Sequence, residues 1–194
     1  MGDPIYIREM ELDDLAEVYA LGERLFTAER WPVLHRTWDD YELATMFASD
    51  GEFCLVAVRE RDEKIVGFVL GTVMFKRRSA WSYGWVIWLG VLPSMKRKGI
   101  ARRLVDRLTE VFIEAGARML IVDTDAENAP ALRFFERQGF GNRRDHVYMS
   151  LNLSTHPKYK KRKPSKKDGR PQPVARPPHA ARGGRLEPGT EPDR

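Results

Sequence analysis

The chain has 194 residues, a formal net charge of +5, 42% hydrophobic and 10% aromatic residues, and one cysteine. That length suits one ordinary domain, the apolar content suffices for a core, and a lone cysteine excludes an internal disulfide. The charge is uneven: residues 155–194 hold 12 Lys/Arg, 4 Asp/Glu and 8 of the 12 prolines, which leaves 21 basic and 24 acidic groups for residues 1–154. The excess of positive charge therefore belongs to the tail, and it does not make the body a nucleic-acid binder.

The N-terminus, MGDPIYIREMELDD, is acidic and lacks the apolar stretch of a secretory signal. No uncharged apolar run approaches the roughly 20 residues that span a bilayer. These features predict a cytoplasmic protein without membrane contact. Ile5–Arg8 reads as an opening strand, and Leu12, Leu15, Ala16, Tyr19, Leu21 and Leu25 recur at helical spacing behind Asp13 and Asp14. A second helix is expected over about Trp38–Ala48, stopped by Asp50-Gly51. Phe53–Arg59 and Lys64–Phe75, separated by the charged turn Glu60–Glu63, form an antiparallel hairpin pattern, and Trp81–Val91 adds a third extended run. Cys54 falls within this apolar region and reads as a small buried hydrophobe.

From Gly99 the period is helical again, with Ile100, Leu104, Leu108, Val111 and Ala115 on one face and Gly116 as the stop. Met119–Val122 is short and wholly apolar, which predicts a central strand. Asn128-Ala129-Pro130 opens a further helix, with proline where its missing N–H costs nothing, and that helix ends at Gly139. A last strand is expected over about His146–Leu153. An antiparallel meander followed by a strand–helix–strand crossover defines an α+β (mixed α/β) domain over residues 1–154, with helices on both sides of a mixed sheet. Residues 155–194 are too poor in apolar surface to fold and form a disordered basic Pro-rich tail. The tail is either a solubilising extension or, through Lys158–Lys167, a weak salt-dependent contact with nucleic acid or another acidic surface.

LGVLPSMKRKGIARRLVDRL is the most informative segment. A strand ends, a short basic loop follows, and a helix starts at glycine. The first N–H groups of a helix lack intrahelical partners and carry partial positive charge, which suits an anion. Gly99 lets backbone approach a phosphate closely, and Lys96, Arg97, Lys98, Arg102 and Arg103 add attraction. The segment lacks both the Walker pattern and the three glycines of a dinucleotide fingerprint.

Lys96-Arg97-Lys98-Gly99-Ile100-Ala101 resembles the [QR]-x-x-G-x-[GA] cofactor motif of the GNAT N-acetyltransferase superfamily, with lysine at the first position. Asn128–Phe140 is similar to the family's N-x-x-A-x-x-x-Y-x-x-x-G-F segment. The resemblance covers about residues 4–153 and is nearest to the branch that acetylates protein N-termini and ribosomal proteins. It implies the GNAT fold, in which two parallel strands splay apart, here Trp85–Val91 and Met119–Asp123. It also implies acetyl-CoA as co-substrate without a metal, and a primary amine as acceptor: a protein N-terminus, a lysine or a small amine.

By the same resemblance, Leu89 and Val91 offer backbone to the pantetheine arm, Lys96, Arg97, Lys98, Gly99, Ile100, Ala101 and Arg102 surround the pyrophosphate, and Asn128 reaches the pantetheine or thioester region. Phe135 stands where the family often has a tyrosine that protonates the departing thiol; it keeps the packing and has no proton to give. For the base, Asp123 and Asp125 compete with a role as strand terminators and helix caps; Tyr83 and Tyr148 are further candidates, each against packing alone. Trp81, Trp85 and Trp88 alternate imperfectly along one strand; they read as sheet core, with Trp85 as a candidate lining of the acceptor pocket. His35, His146, His156 and His179 show no metal spacing. Two other readings stay open: a CoA-binding regulatory domain that has lost catalysis with Phe135, and a nucleic-acid-associated protein acting through its tail.

Overall fold

The computed structural model describes residues 3–30, 37–75, 82–144, 149 and 151–159. The chain divides into two compact units, Met1–Asp145 and His146–Arg194. In the first, the α-helices and strands among the described residues are, in order, β1 (Ile5–Glu9), α1 (Leu15–Leu25), α2 (Asp40–Asp50), β2 (Cys54–Arg59), β3 (Lys64–Phe75), β4 (Ser82–Val91), α3 (Ile100–Glu114), β5 (Met119–Val122) and α4 (Ala129–Arg137). The sheet order is β1-β2-β3-β4-β5, antiparallel as far as β4 and parallel between β4 and β5. This is the mixed sheet flanked by helices that the element order predicts.

Helices cover both faces. On one, α1 and α2 bury Val18, Leu21 and Leu43 against an aromatic group of Phe26, Trp38, Phe68 and Trp88, with the Trp38 and Trp88 ring centroids 5.0 Å apart. On the other, α3 lays Leu104, Leu108 and Phe112 on the sheet. Its apolar residues recur every three or four positions, so one stripe packs while arginines and acids face water. Gly71 and Gly84 make room for Phe112. A Cβ on Gly84 would lie 2.6 Å from the Phe112 Cγ, and one on Gly71 would lie 2.7 Å from its Cζ.

Two boundaries depart from expectation. The second helix starts at Asp40 rather than near Trp38, because the Asp39 carboxylate caps it by accepting the Glu42 N–H at 2.6 Å. Trp38 instead turns into the core, its ring over Gly22 and its indole N–H directed to the Tyr19 carbonyl at 3.3 Å. Met119–Val122 forms the expected strand and pairs with β4; residues of the expected last strand that could flank its other side lie outside the described residues, and Met119 is 44% exposed. In the second unit, Leu153–Thr155 is a single 3-10 turn, and Met149, Leu151 and Asn152 lie in no strand. The rest of the expected last strand (His146, Val147, Tyr148 and Ser150) and the tail beyond Tyr159 lie outside the described residues, as do His35, Trp81 and His179. Among the described residues no helix is long and apolar enough to cross a membrane.

Candidate functional site

The sheet opens between β4 and β5. Their parallel pairing runs from Tyr83–Met119 to Val86–Val122 and stops. Beyond it β4 continues through Val91, bonded on its β3 side alone among the described strands. A bulge coincides with the split: Leu70 pairs with Trp88 and Gly71 with Val86, so Ile87 is the extra residue. Val86 therefore packs with α3, whereas Ile87 and Trp88 both face α1 and α2. Bulges re-aim side chains in this way and often border functional sites. The odd spacing from Trp85 to Trp88 is the trace of this bulge in the sequence.

A cleft of about 640 Å³ occupies the opening. Its walls are Val86–Val91 of β4, the loop from Pro93 to Arg102, Val122–Thr124 after β5, one side of α4, and Arg24, Leu25, Phe26 and Arg30 from the end of α1 and just beyond. The loop turns through two left-handed residues, Arg97 (φ 63°) and Gly99 (φ 76°). Gly99 is the N-cap of α3, the first helical bond is Arg103 N–H to the Gly99 carbonyl at 3.0 Å, and neither a side-chain cap nor an acidic first-turn residue is present. The N–H groups of the first turn thus remain available to an external anion. Arg102 forms an exposed pair with Asp106 at 3.4 Å, and the Lys98 ammonium reaches the Met95 sulfur at 3.5 Å. Together the bare helix start, the cations and the unpaired length of β4 fit a chain-like ligand ending in phosphates.

The other expected residues fall as follows. Leu89, Val91, Lys96, Arg97, Gly99, Ile100, Ala101, Arg102, Asn128 and Phe135 line the cleft, and Lys98 does not. The Asn128 amide is committed locally: its Oδ1 accepts the Ala131 N–H at 3.3 Å, and its Nδ2 donates to the Thr124 hydroxyl at 3.1 Å. Phe135 is buried, its ring at 5.1 and 5.3 Å centroid distance from Phe134 and Phe140. Asp123 lines the cleft, and its carboxylate accepts the Trp85 indole N–H at 2.7 Å. Trp85 itself is not among the lining residues; Trp88 is, while also belonging to the core. Tyr83 sits at the first β4–β5 rung, away from the lining residues. Asp125 shapes the turn before α4, accepting the Glu127 N–H at 2.8 Å.

Cys54 is fully buried, and burial, with Asp50 and Glu52 adding to it, pushes its thiol up to about 12. It is a core residue. No group of three or more His, Cys, Asp or Glu side chains positioned to hold a metal occurs among the described residues. The family resemblance places the acceptor site on the first helices and the loop near residues 29–37, and the wall formed by Arg24, Leu25, Phe26 and Arg30 brings part of that stretch to the cleft; the four residues themselves were not singled out, because nothing local ties the end of α1 to a loop 70 residues away.

A split mixed sheet with an anion cradle at its mouth is the architecture of the CoA-dependent acyltransferases. The sequence model of the Acetyltransferase (GNAT) family matches residues 18–140, and the chain belongs to that family. It is an acyltransferase with acetyl-CoA as co-substrate. The fold is shared with the aminoglycoside N-acetyltransferase AAC(6')-Iy in complex with CoA, at 17% identity over 78% of this chain and 97% of that one (TM-score 0.62). It is shared too with the glucosamine-6-phosphate N-acetyltransferase of Arabidopsis thaliana, at 20% identity over 77% and 100% (TM-score 0.60). A third structure with this fold is the NatC complex bound to Gag peptide and CoA, at 16% identity over 69% and 82% (TM-score 0.60). At these identities the likeness is one of fold.

Proposed function

We propose that this protein transfers the acetyl group of acetyl-CoA to a primary amine by direct attack, with a peptide or protein N-terminus as the leading acceptor class. The observation that carries the reading is the split between β4 and β5, which runs from an unpaired strand edge to a bare helix start. The acceptor class rests on the resemblance of the Trp88–Val91 strand and the aliphatic hairpin to protein N-terminal acetyltransferases; the NatC likeness is compatible with it.

Acetyl-CoA supplies an activated acyl carbon. In this reading the free backbone of Leu89 and Val91 pairs with the amides of its pantetheine arm, and the first-turn N–H groups of α3, with Lys96, Arg97 and Arg102, hold its phosphates. Asn128, whose side chain caps α4, fixes the cleft wall there. Asp123, oriented by Trp85, takes the proton that the amine loses as its nitrogen bonds to the acyl carbon and the carbon–sulfur bond breaks, directly or through one water. A backbone N–H near Val91 stabilises the oxyanion. Phe135 has no proton to offer, so the thiol leaves as thiolate and is protonated from solvent.

Isothermal titration with acetyl-CoA, followed by thiol release with peptide and small-amine acceptors, tests the reading. Absence of binding at sub-millimolar cofactor overturns it. Binding without thiol release for any acceptor leaves a CoA-binding domain without catalysis.

A further inference from the structure

The described residues lining the cleft include one carboxylate, Asp123, and six cations: Arg24, Arg30, Lys96, Arg97, Arg102 and Arg137. Three of the six belong to the loop and first turn of α3, where phosphates are expected. Arg24 and Arg30 do not. They come from the last turn of α1 and the segment five residues beyond it, on the sheet face opposite α3. The end of α1 presses directly on the open strand: a Cβ on Gly90 would lie 2.7 Å from Leu25 Cδ1.

Several arginines in this unit are engaged by the fold. Arg8 pairs with Asp14, Arg59 with Asp62, Arg61 with Asp3 and Arg107 with Glu110, while Arg103 donates to the Ile5 carbonyl. Among the described residues Arg24 donates through its Nε alone, to the Ala20 carbonyl at 3.3 Å, which leaves both Nη groups available there. The Arg30 side chain has no ion pair or hydrogen bond among the described residues, and neither Glu23 nor Glu29 pairs with either arginine. Two exposed guanidinium groups thus face a cleft with no carboxylate on their own wall.

We propose that the acceptor carries an anionic group, a carboxylate or a phosphate, close to its amine, and that Arg24 and Arg30 bind this group. The inference rests on the acetyltransferase reading and deepens it by naming the acceptor's charge. A guanidinium binds such oxygens through paired charge-assisted hydrogen bonds. A polycationic acceptor would set its own ammonium groups against these arginines, and that repulsion excludes it. The anion has two possible sources: an acidic side chain near a peptide N-terminus, or a small amine bearing its own carboxylate or phosphate.

The test compares the full-length wild type with the Arg24→Gln/Arg30→Gln double variant. Thiol release is measured for peptides with Glu, Gln or Lys at the second position, for glucosamine-6-phosphate against glucosamine, and for an aminoglycoside. Binding of the same panel to CoA-saturated protein is followed in parallel by calorimetry. The expected result is a preference of about tenfold or more for the anionic member of either arm, falling toward unity in the double variant. The arm in which it falls identifies the source. CoA affinity is expected to stay within about twofold, since these arginines lie off the phosphate loop.

Four results overturn the inference: equal or better use of neutral or cationic acceptors, an anion preference that survives in the double variant, a loss of CoA affinity that matches the loss of acceptor binding, and a CoA-saturated wild type that binds no anionic member. Failure of the acetyltransferase reading is distinct, since it appears as absent acetyl-CoA binding in the wild type.

Discussion

Asp123 and Asp14 are both carboxylates held by a strong donor, yet they stand in opposite relations to function. Asp123 lies at the cleft, with one oxygen occupied by Trp85 at 2.7 Å. Replacing it with asparagine keeps the shape and removes the proton acceptor. The expected outcome for Asp123→Asn is a kcat lower by about 10²- to 10⁴-fold with little change in acetyl-CoA affinity, read by thiol release and calorimetry. Asp14 serves the fold. Burial pushes its carboxyl up, but two hydrogen bonds from Arg8, at 2.5 and 3.0 Å, and one from the Glu11 N–H, at 2.7 Å, outweigh burial and hold it below the usual carboxylate range. A depressed carboxyl contributes stability that is present above its unfolded value, near 3.9, and is lost as pH falls through its folded value. Asp14→Asn should therefore cost about 1 kcal/mol at neutral pH, and its melting temperature should converge on that of the wild type as pH falls below about 4.

The elements fit one another through small residues placed against large ones. Gly84→Ala would force a methyl group to 2.6 Å from the Phe112 ring, which sits in a full core, so a loss of about 1–3 kcal/mol is expected in chemical denaturation. The same substitution should cost less in a Phe112→Leu background, since the two side chains share one space. Elements of this kind are legible when their signal is local. β3 and β5 match their expected limits, and α3 and α4 fall within a residue or two, because period, cap and stop all point the same way. The basic loop from Pro93 to the start of α3 is legible for the same reason, since strand end, turn and helix start are contiguous in the chain. The first helices and the loop near residues 29–37 are the expected acceptor side, but Arg24 and Arg30 themselves were not legible, since only packing of α1 across β4 brings them to the cleft.

On the scale of the whole molecule, the sequence sets an acidic body beside a basic tail, with 12 Lys/Arg against 4 Asp/Glu in residues 155–194. Truncation after Ser154 is expected to abolish salt-dependent retention on a polyanion matrix while leaving acetyl-CoA affinity intact; equal retention of both forms would remove any role for the tail in such contacts. The open side of β4 has a consequence for handling the protein. A strand edge with unsatisfied backbone groups is a template for another chain, and from Ile87 to Val91 β4 presents such an edge, unpaired among the described strands. A ligand whose amides pair with that edge closes it. Acetyl-CoA at about one hundred times its Kd should add about 2.7 kcal/mol to unfolding, and preparations stored with it should stay monodisperse for longer than those stored without.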